Sequence, residues 1–154
     1  MRGERVTAQR RTAGAERAPT PVTPERLIAE AERARRHAYA PYSRFRVGAA
    51  LLTAGGRVIP GCNVENASYG LSVCAECSAL WKAVGEGERG FVAIAVSAGR
   101  GREAPPCGRC RQVLWELSPR ARVYWRDRRG RLVRRSVAAL LPSPFGVPKK
   151  RPSR

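Results

Sequence analysis

Apolar positions change their period several times along the chain, and each change marks an element. Leu27, Ile28, Ala31, Ala34 and Ala38 recur at the spacing of one helical face. Thr23 offers an N-cap oxygen, Pro24 suits the first helical position, and Glu25 complements the positive end of the helix dipole. This helix must stop before Pro41, because a residue preceding proline avoids the α region. Phe45 to Thr53 reads as a strand, Ala54-Gly55-Gly56 as a turn and Arg57 to Val64 as a second strand, so the pair forms a hairpin. Pro60 has no N–H for a ladder and places its strand at an edge or a bulge. Val73 to Gly85 lacks breakers and reads as a helix that ends in the Gly85/Gly87 region. Phe91 to Ala98 is apolar almost throughout, the pattern of a strand covered on both faces. Gly108 to Leu117 reads as a third helix. Ala121 to Arg126 and Arg131 to Val137 read as strands around a turn at Asp127 to Gly130. Ser136 caps a short last helix containing Ala138, Leu140 and Leu141. The order α-β-β-α-β-α-β-β-α predicts an α/β fold, a three-layer α/β/α arrangement around a five-stranded mixed sheet.

Composition sets the limits of this body. The chain has 154 residues, 43% of them hydrophobic, which is room for one domain with one core. No apolar run approaches the roughly 18–20 residues that a membrane span needs. No apolar segment follows the Arg-rich N-terminus, so no secretory signal is expected and the expected location is cytoplasmic. Residues 1–23 have no hydrophobic period and read as a disordered basic extension, and 147–154 as a basic flexible tail. Residues 24–146 are left as one compact domain. Net charge is +18, and the body alone holds 21 basic against 10 acidic residues. A basic body can meet nucleic acid through phosphates. Here the charge is nearly all arginine, spread along the chain without a nucleic-acid-binding motif, so a general abundance of arginine accounts for it and a nucleic-acid partner is not expected.

Chemistry concentrates in two segments, Cys74-Ala75-Glu76-Cys77 and Pro106-Cys107-Gly108-Arg109-Cys110. In a reducing compartment such cysteines are metal ligands, catalytic groups or core residues rather than disulfides. Paired CxxC segments suit tetrahedral zinc. Each pair opens a predicted helix, where free N–H groups and the dipole stabilise thiolates. Four thiolates would close the metal and make it structural, whereas three would leave a position for water acidified to neutral pH. Glu76 favours three: a carboxylate between the two cysteines can take a proton from that water and return it to a substrate nitrogen. Its alternative reading is an acid that complements the helix dipole. Cys62 has no partner motif and reads as a small buried hydrophobe.

These segments resemble the zinc deaminase signature H-x-E…P-C-x-x-C, with Cys74 in the place of the histidine. The resemblance extends to Tyr39-Ala-Pro-Tyr-Ser-Arg-Phe45, Val47-Gly-Ala-Ala-Leu51, Gly61-Cys-Asn-Val-Glu-Asn66, Cys110-Arg-Gln112 and Leu140-Leu-Pro-Ser-Pro-Phe145. Over roughly 24–146 the chain is similar to the small homotetrameric cytidine deaminases. That resemblance implies a cytidine deaminase-like fold and a zinc-dependent hydrolysis of cytidine or deoxycytidine to the uridine product and ammonia, in pyrimidine salvage. It implies one Zn2+ per subunit on Cys74, Cys107 and Cys110, and Glu76 as proton shuttle. It implies ribose contacts from Asn63 and Glu65, Phe45 beside the pyrimidine, and the Ala75 backbone with Glu76 at the base edge. Phe145 would enter a neighbouring subunit's site in a homotetramer. Phe45 and Phe145 as plain core residues, and Asn63 as a turn residue, are the simpler readings without the resemblance.

The chain departs from the family at Cys77, where an arginine is usual. That arginine and the one matching Arg111 are expected to donate to the ligand sulfurs and offset their charge. Cys77 is then a neighbour of the ligands rather than a fourth one. Arg109, where a small residue is usual, is a candidate replacement cation. Two alternatives stand beside the deaminase reading. One is the same fold acting on another aminated base, nucleoside analogue or nucleic acid. The other is a non-catalytic four-cysteine zinc module that binds nucleic acid.

Overall fold

The computed structural model describes residues 22–146. The expected terminal segments therefore lie outside the described residues, except for Val22 and Thr23. Those two belong to the body: Val22 packs against the core, and Thr23 Oγ1 accepts from the Arg26 N–H at 3.2 Å. The fold thus begins before the expected boundary at residue 24.

Helix α1 spans Pro24–Arg35, strand β1 Gly48–Thr53 and strand β2 Val58–Cys62. Helix α2 spans Ala75–Gly85, strand β3 Phe91–Ser97 and helix α3 Gly108–Leu117. Strands β4 (Arg122–Arg126) and β5 (Leu132–Ser136) lead to a short α4, Val137–Leu140. The element order is the expected one, with a 3₁₀ turn at Tyr69–Leu71 added. Both hairpin strands are shorter than expected, and residues 45–47 lie outside the ladder because the Asn63 side chain occupies their backbone groups. Leu141 ends α4 as its C-cap rather than lying within it, while Ser136 Oγ caps the helix at Ala139 N–H, 3.1 Å.

The five strands form one sheet in the order β2-β1-β3-β4-β5. Only β3 and β4 run parallel; the other neighbours are antiparallel. Pro60 lies on edge strand β2, where a missing N–H costs least. Alternation along the strands divides the core into two layers. Ala50, Ala93, Ala95 and Tyr124 face α1 through Leu27, Ile28 and Ala31. Ala49, Leu51, Ile94, Val123 and Trp125 face the other way, with Ala79 and Leu80 of α2, Leu114 of α3 and Val137 of α4. Central β3 is covered on both sides, as its unbroken apolar run requires.

Two glycines set how closely these layers approach. A Cβ on Gly48 would stand 2.0 Å from the Ala31 carbonyl oxygen of α1. One on Gly61 would stand 2.5 Å from both the Ala75 carbonyl oxygen and the Ala79 nitrogen of α2. The hairpin therefore meets a helix backbone on each face, a contact that only glycine permits. None of the described helices is long and apolar enough to cross a membrane.

Candidate active site

Strands β2, β3 and β4 end on the same side of the sheet, and the next two helices begin there. Cys74 is the N-cap of α2 and Cys107 the N-cap of α3; neither side chain caps its helix, so both thiols remain available. Cys110 follows within the first turn of α3 and is fully buried. The Sγ atoms of Cys74, Cys107 and Cys110 all lie within 4.8 Å of one another. Cys74 and Cys107 are 3.8 Å apart. Zinc–sulfur bonds of about 2.3 Å in a tetrahedron place sulfurs roughly 3.8 Å apart, so this donor set fits zinc. The opposing helix N-termini add favourable potential for thiolate.

Cys77 lies one turn further along α2, buried, with Sγ 3.8 Å from Cys110 Sγ. It touches one member of the cluster but stands outside the mutually close set. Cys110 most of all, with Cys107 and the Arg109 cation acting in the same direction, holds the Cys74 thiol down at about 6. Cys110 is also the main cause of a lowered Cys77. Its own proton is held correspondingly tightly: bonding to Cys74 and Cys77, then burial, raise it.

Glu76 is 4% exposed, in the first turn of α2. Burial pushes its carboxyl up to about 7, and the charge on Cys74 pushes the same way. It lines a cavity of about 370 Å³ with Phe45, Asn63, Glu65, Cys74, Ala75, Glu103 and Cys107. A neighbouring hollow of about 440 Å³ shares Ser43, Asn63, Glu65 and Cys74 with it and extends to Tyr69. Both volumes fall within the range of small-molecule sites.

Glu65 has the opposite setting. It is half-buried, and its carboxylate accepts from the Tyr42 N–H at 2.9 Å, the Ser43 N–H at 3.2 Å and the Ser43 hydroxyl. The Ser43 hydroxyl is the largest cause that holds this carboxyl below its ordinary range. Asn63 Oδ1 accepts from Val47 N–H at 2.8 Å, and Nδ2 donates to the Phe45 carbonyl at 3.0 Å. Both residues are presented by bridges of Val64 to Tyr39 and Val73, which hold the loop closed. Arg44, with φ 55, makes the left-handed turn between Ser43, which grips Glu65, and Phe45, which lines the cavity.

The remaining expected residues divide. Arg111 does not bond to the cysteines. Its Nε donates to the Pro106 carbonyl at 2.8 Å and its Nη1 to the Leu140 carbonyl at 3.0 Å, which pins the approach to Cys107. Arg109 donates to the Ser72 carbonyl at 3.2 Å and lies over the Trp81 ring at 5.5 Å. Cys62 is only partly buried, because it ends an edge strand. Phe145 lies away from this cavity and is 78% exposed, with its backbone N–H and C=O both held by the Gln112 side chain. Sequence reasoning gave Ser43 and Glu103 no role. The only signal for Ser43 was its place inside the Tyr39–Phe45 segment.

The pattern described as "Cytidine and deoxycytidylate deaminase zinc-binding region" matches residues 21–126. The chain is 56% identical over 120 residues to cytidine deaminase of Halalkalibacterium halodurans, covering 77% of this chain and 91% of that one. It is 47% identical over 122 residues to cytidine deaminase of Sporosarcina psychrophila, covering 79% and 90%. The crystal structure of cytidine deaminase from Burkholderia pseudomallei superposes with a TM-score of 0.75 at 49% identity, over 80% of this chain and 99% of that one. Fold, cysteine cluster and sequence likeness agree, and the chain belongs to the zinc-binding cytidine and deoxycytidylate deaminase family.

Proposed function

We propose that this protein is a cytidine deaminase of pyrimidine salvage, acting in the cytoplasm. It hydrolyses cytidine or deoxycytidine to uridine or deoxyuridine and ammonia. The observation that carries this reading is a buried carboxyl, Glu76, in one cavity with two of the three clustered cysteines and the Asn63/Glu65 pair. One zinc ion per subunit, held by Cys74, Cys107 and Cys110, supplies a Lewis acid that acidifies water at neutral pH.

The chain's own groups do the rest. Glu76 takes the proton of the attacking water and passes it to the ring nitrogen. A second transfer protonates the amino group, which leaves as ammonia while the carbonyl forms at C4. Burial suits the carboxyl to this work, because it can hold a proton near neutral pH. The Ala75 backbone reads the base edge, and Phe45 packs beside the ring. Asn63 and Glu65 keep unused acceptor and donor capacity towards the cavity, suited to ribose hydroxyls. An acidic ribose contact repels phosphate, so the free nucleoside is favoured over a nucleotide at this site. Cys77 acts as a thiol neighbour of Cys110 and Arg111 as a positioning residue for Cys107.

Phe145 is assigned to a neighbouring subunit's site in a homotetramer. Its exposure, together with exposed Tyr69, Leu71 and Trp81, supports burial by a second chain. Ultraviolet measurement of cytidine loss, with and without a zinc chelator, tests the activity. Light scattering tests the assembly, and an active monomer at assay concentration would contradict it. Phe145→Ala should raise KM while leaving zinc bound.

A further inference from the structure

A second cleft opens at the same end of the sheet, on the opposite face. It has a volume of about 710 Å³, within the range of small-molecule sites. Its floor is apolar where Ile28 and Ala29 of α1 and Ala104 beyond the end of β3 line it. Its rim is arginine. Arg100 and Arg102 come from the β3–α3 connection, and Arg126, Arg128 and Arg129 from the end of β4 and the turn that follows. None of these five forms an ion pair among the described residues.

Three acids also line the cleft, and two are already engaged. Glu32 is bonded to Arg35 and to the Ser97 hydroxyl. Asp127 accepts from Arg131 Nε at 2.7 Å and from the Arg129 and Arg131 backbone N–H groups, each at 2.9 Å. The third, Glu25, lies in the first turn of α1. Gly99 (φ 90) and Gly101 (φ 72) take the left-handed conformations that fold the Arg100–Arg102 segment over the cleft. Cations gathered over an apolar floor repel one another, and a polyanion relieves that repulsion. Guanidinium groups match phosphate oxygens in pairs.

We propose that this cleft binds an organic polyphosphate of nucleotide size, with its phosphate chain on the arginine rim and its organic part on the Ile28/Ala29/Ala104 floor. The site is separate from the cysteine cavity and opposite to it in charge preference. It is also coupled to that cavity. The Arg102 guanidinium lies 5.7 Å from the centre of the Phe45 ring. Val96 and Ala104 line both cavities, and Glu103 between them accepts from Trp125 Nε1 at 3.1 Å. A phosphate that draws Arg102 into the cleft removes a cation from Phe45. On the reading that Phe45 packs beside the substrate ring, KM for cytidine then changes.

The test is calorimetric titration of the zinc-loaded full-length protein with inorganic tripolyphosphate, cytidine triphosphate and a short single-stranded oligonucleotide, at about 0.15 M salt so that diffuse attraction is screened. Both triphosphates should bind, the nucleotide more tightly; equal affinity would overturn the seat assigned to the organic part. An Arg128→Glu/Arg129→Glu double variant should weaken binding by at least about tenfold. Its cytidine kinetics and melting temperature without polyphosphate should stay at the wild-type values. Arg100→Ala, a milder change, should weaken binding less. In Arg102→Gln, tripolyphosphate should no longer shift KM. The proposal is overturned if neither triphosphate binds, or if the double variant binds them as well as wild type. Binding of the oligonucleotide alone, lost in the same variant, also overturns it and reassigns the surface to nucleic acid. These readings do not depend on deamination, so failure here leaves the enzyme assignment intact.

Discussion

Glu76 and Glu65 line the same cavity, yet the chain treats them in opposite ways. Glu76 is buried on a helix, and its carboxyl is pushed up to about 7 by the loss of water. Glu65 sits half-buried on a loop, and its carboxylate is held down by three donors from residues 42–43. The first setting favours a group that changes its protonation state during a reaction. The second favours a group that never does. On the proposed function, one residue type serves as proton carrier and as fixed anion within a single site, and the surroundings decide which.

The harshest way to break this comparison is to remove what stands beside Glu76. Cys74→Ser should cost both zinc and activity, whereas Cys77→Ser should leave one zinc per chain and most of the activity. Metal analysis with X-ray absorption checks the pair, and four sulfur ligands in the wild-type protein would refute the open-site reading. Next in size is Glu76→Gln, which keeps the shape and removes the base. Zinc should remain while turnover falls by about 10²–10⁴-fold, as single-turnover kinetics would record.

Glu65→Gln should act on the other arm of the contrast. Loss of charge-assisted bonds to the loop and the ribose should raise KM roughly tenfold to a hundredfold, with a smaller change in kcat. The smallest effect is in pH. Glu65 holds its proton less tightly in the fold than at its ordinary 4.5, so its hold on residues 42–43 is complete above that value. That hold is lost as pH falls through the lower folded value. The amide resonances of Tyr42 and Ser43 should therefore shift with a midpoint below 4.5, and not shift there in Glu65→Gln.

The fold was legible where one signal dominated. Gly108–Leu117 was read to the residue because Pro105-Pro106 and the cysteine N-cap fix its start. Strand β1 was read three residues too long, because Phe45-Arg-Val47 carries strand-like residues whose partner is an asparagine side chain, a contact that no periodicity encodes. The cysteine triad and Glu76 were legible because metal chemistry demands fixed types at fixed spacing. Arg111 was expected beside the ligand sulfurs; its long side chain reaches several acceptors, and it bonds to the backbone carbonyls of Pro106 and Leu140, contacts that no spacing encodes. The arginine cleft was read as diffuse charge, since Arg100 and Arg128 lie far apart in sequence and meet only through the parallel pairing of β3 with β4.

Gly61 carries no functional group, yet the cysteine geometry depends on its lack of a side chain. The strand stops against the first turn of α2, with the position of a missing Cβ 2.5 Å from the Ala75 oxygen, where ordinary contact begins at 3.4 Å. Gly61→Ala would force α2 back by a large part of an ångström, carrying Cys74 and Glu76 with it. Cys107 and Cys110 ride on α3 and would stay. The strand therefore works as a machinist's gauge block, fixing one jaw of a clamp relative to the other. A single added methyl at a position that touches neither metal nor substrate would thus disturb the spacing of the cysteines.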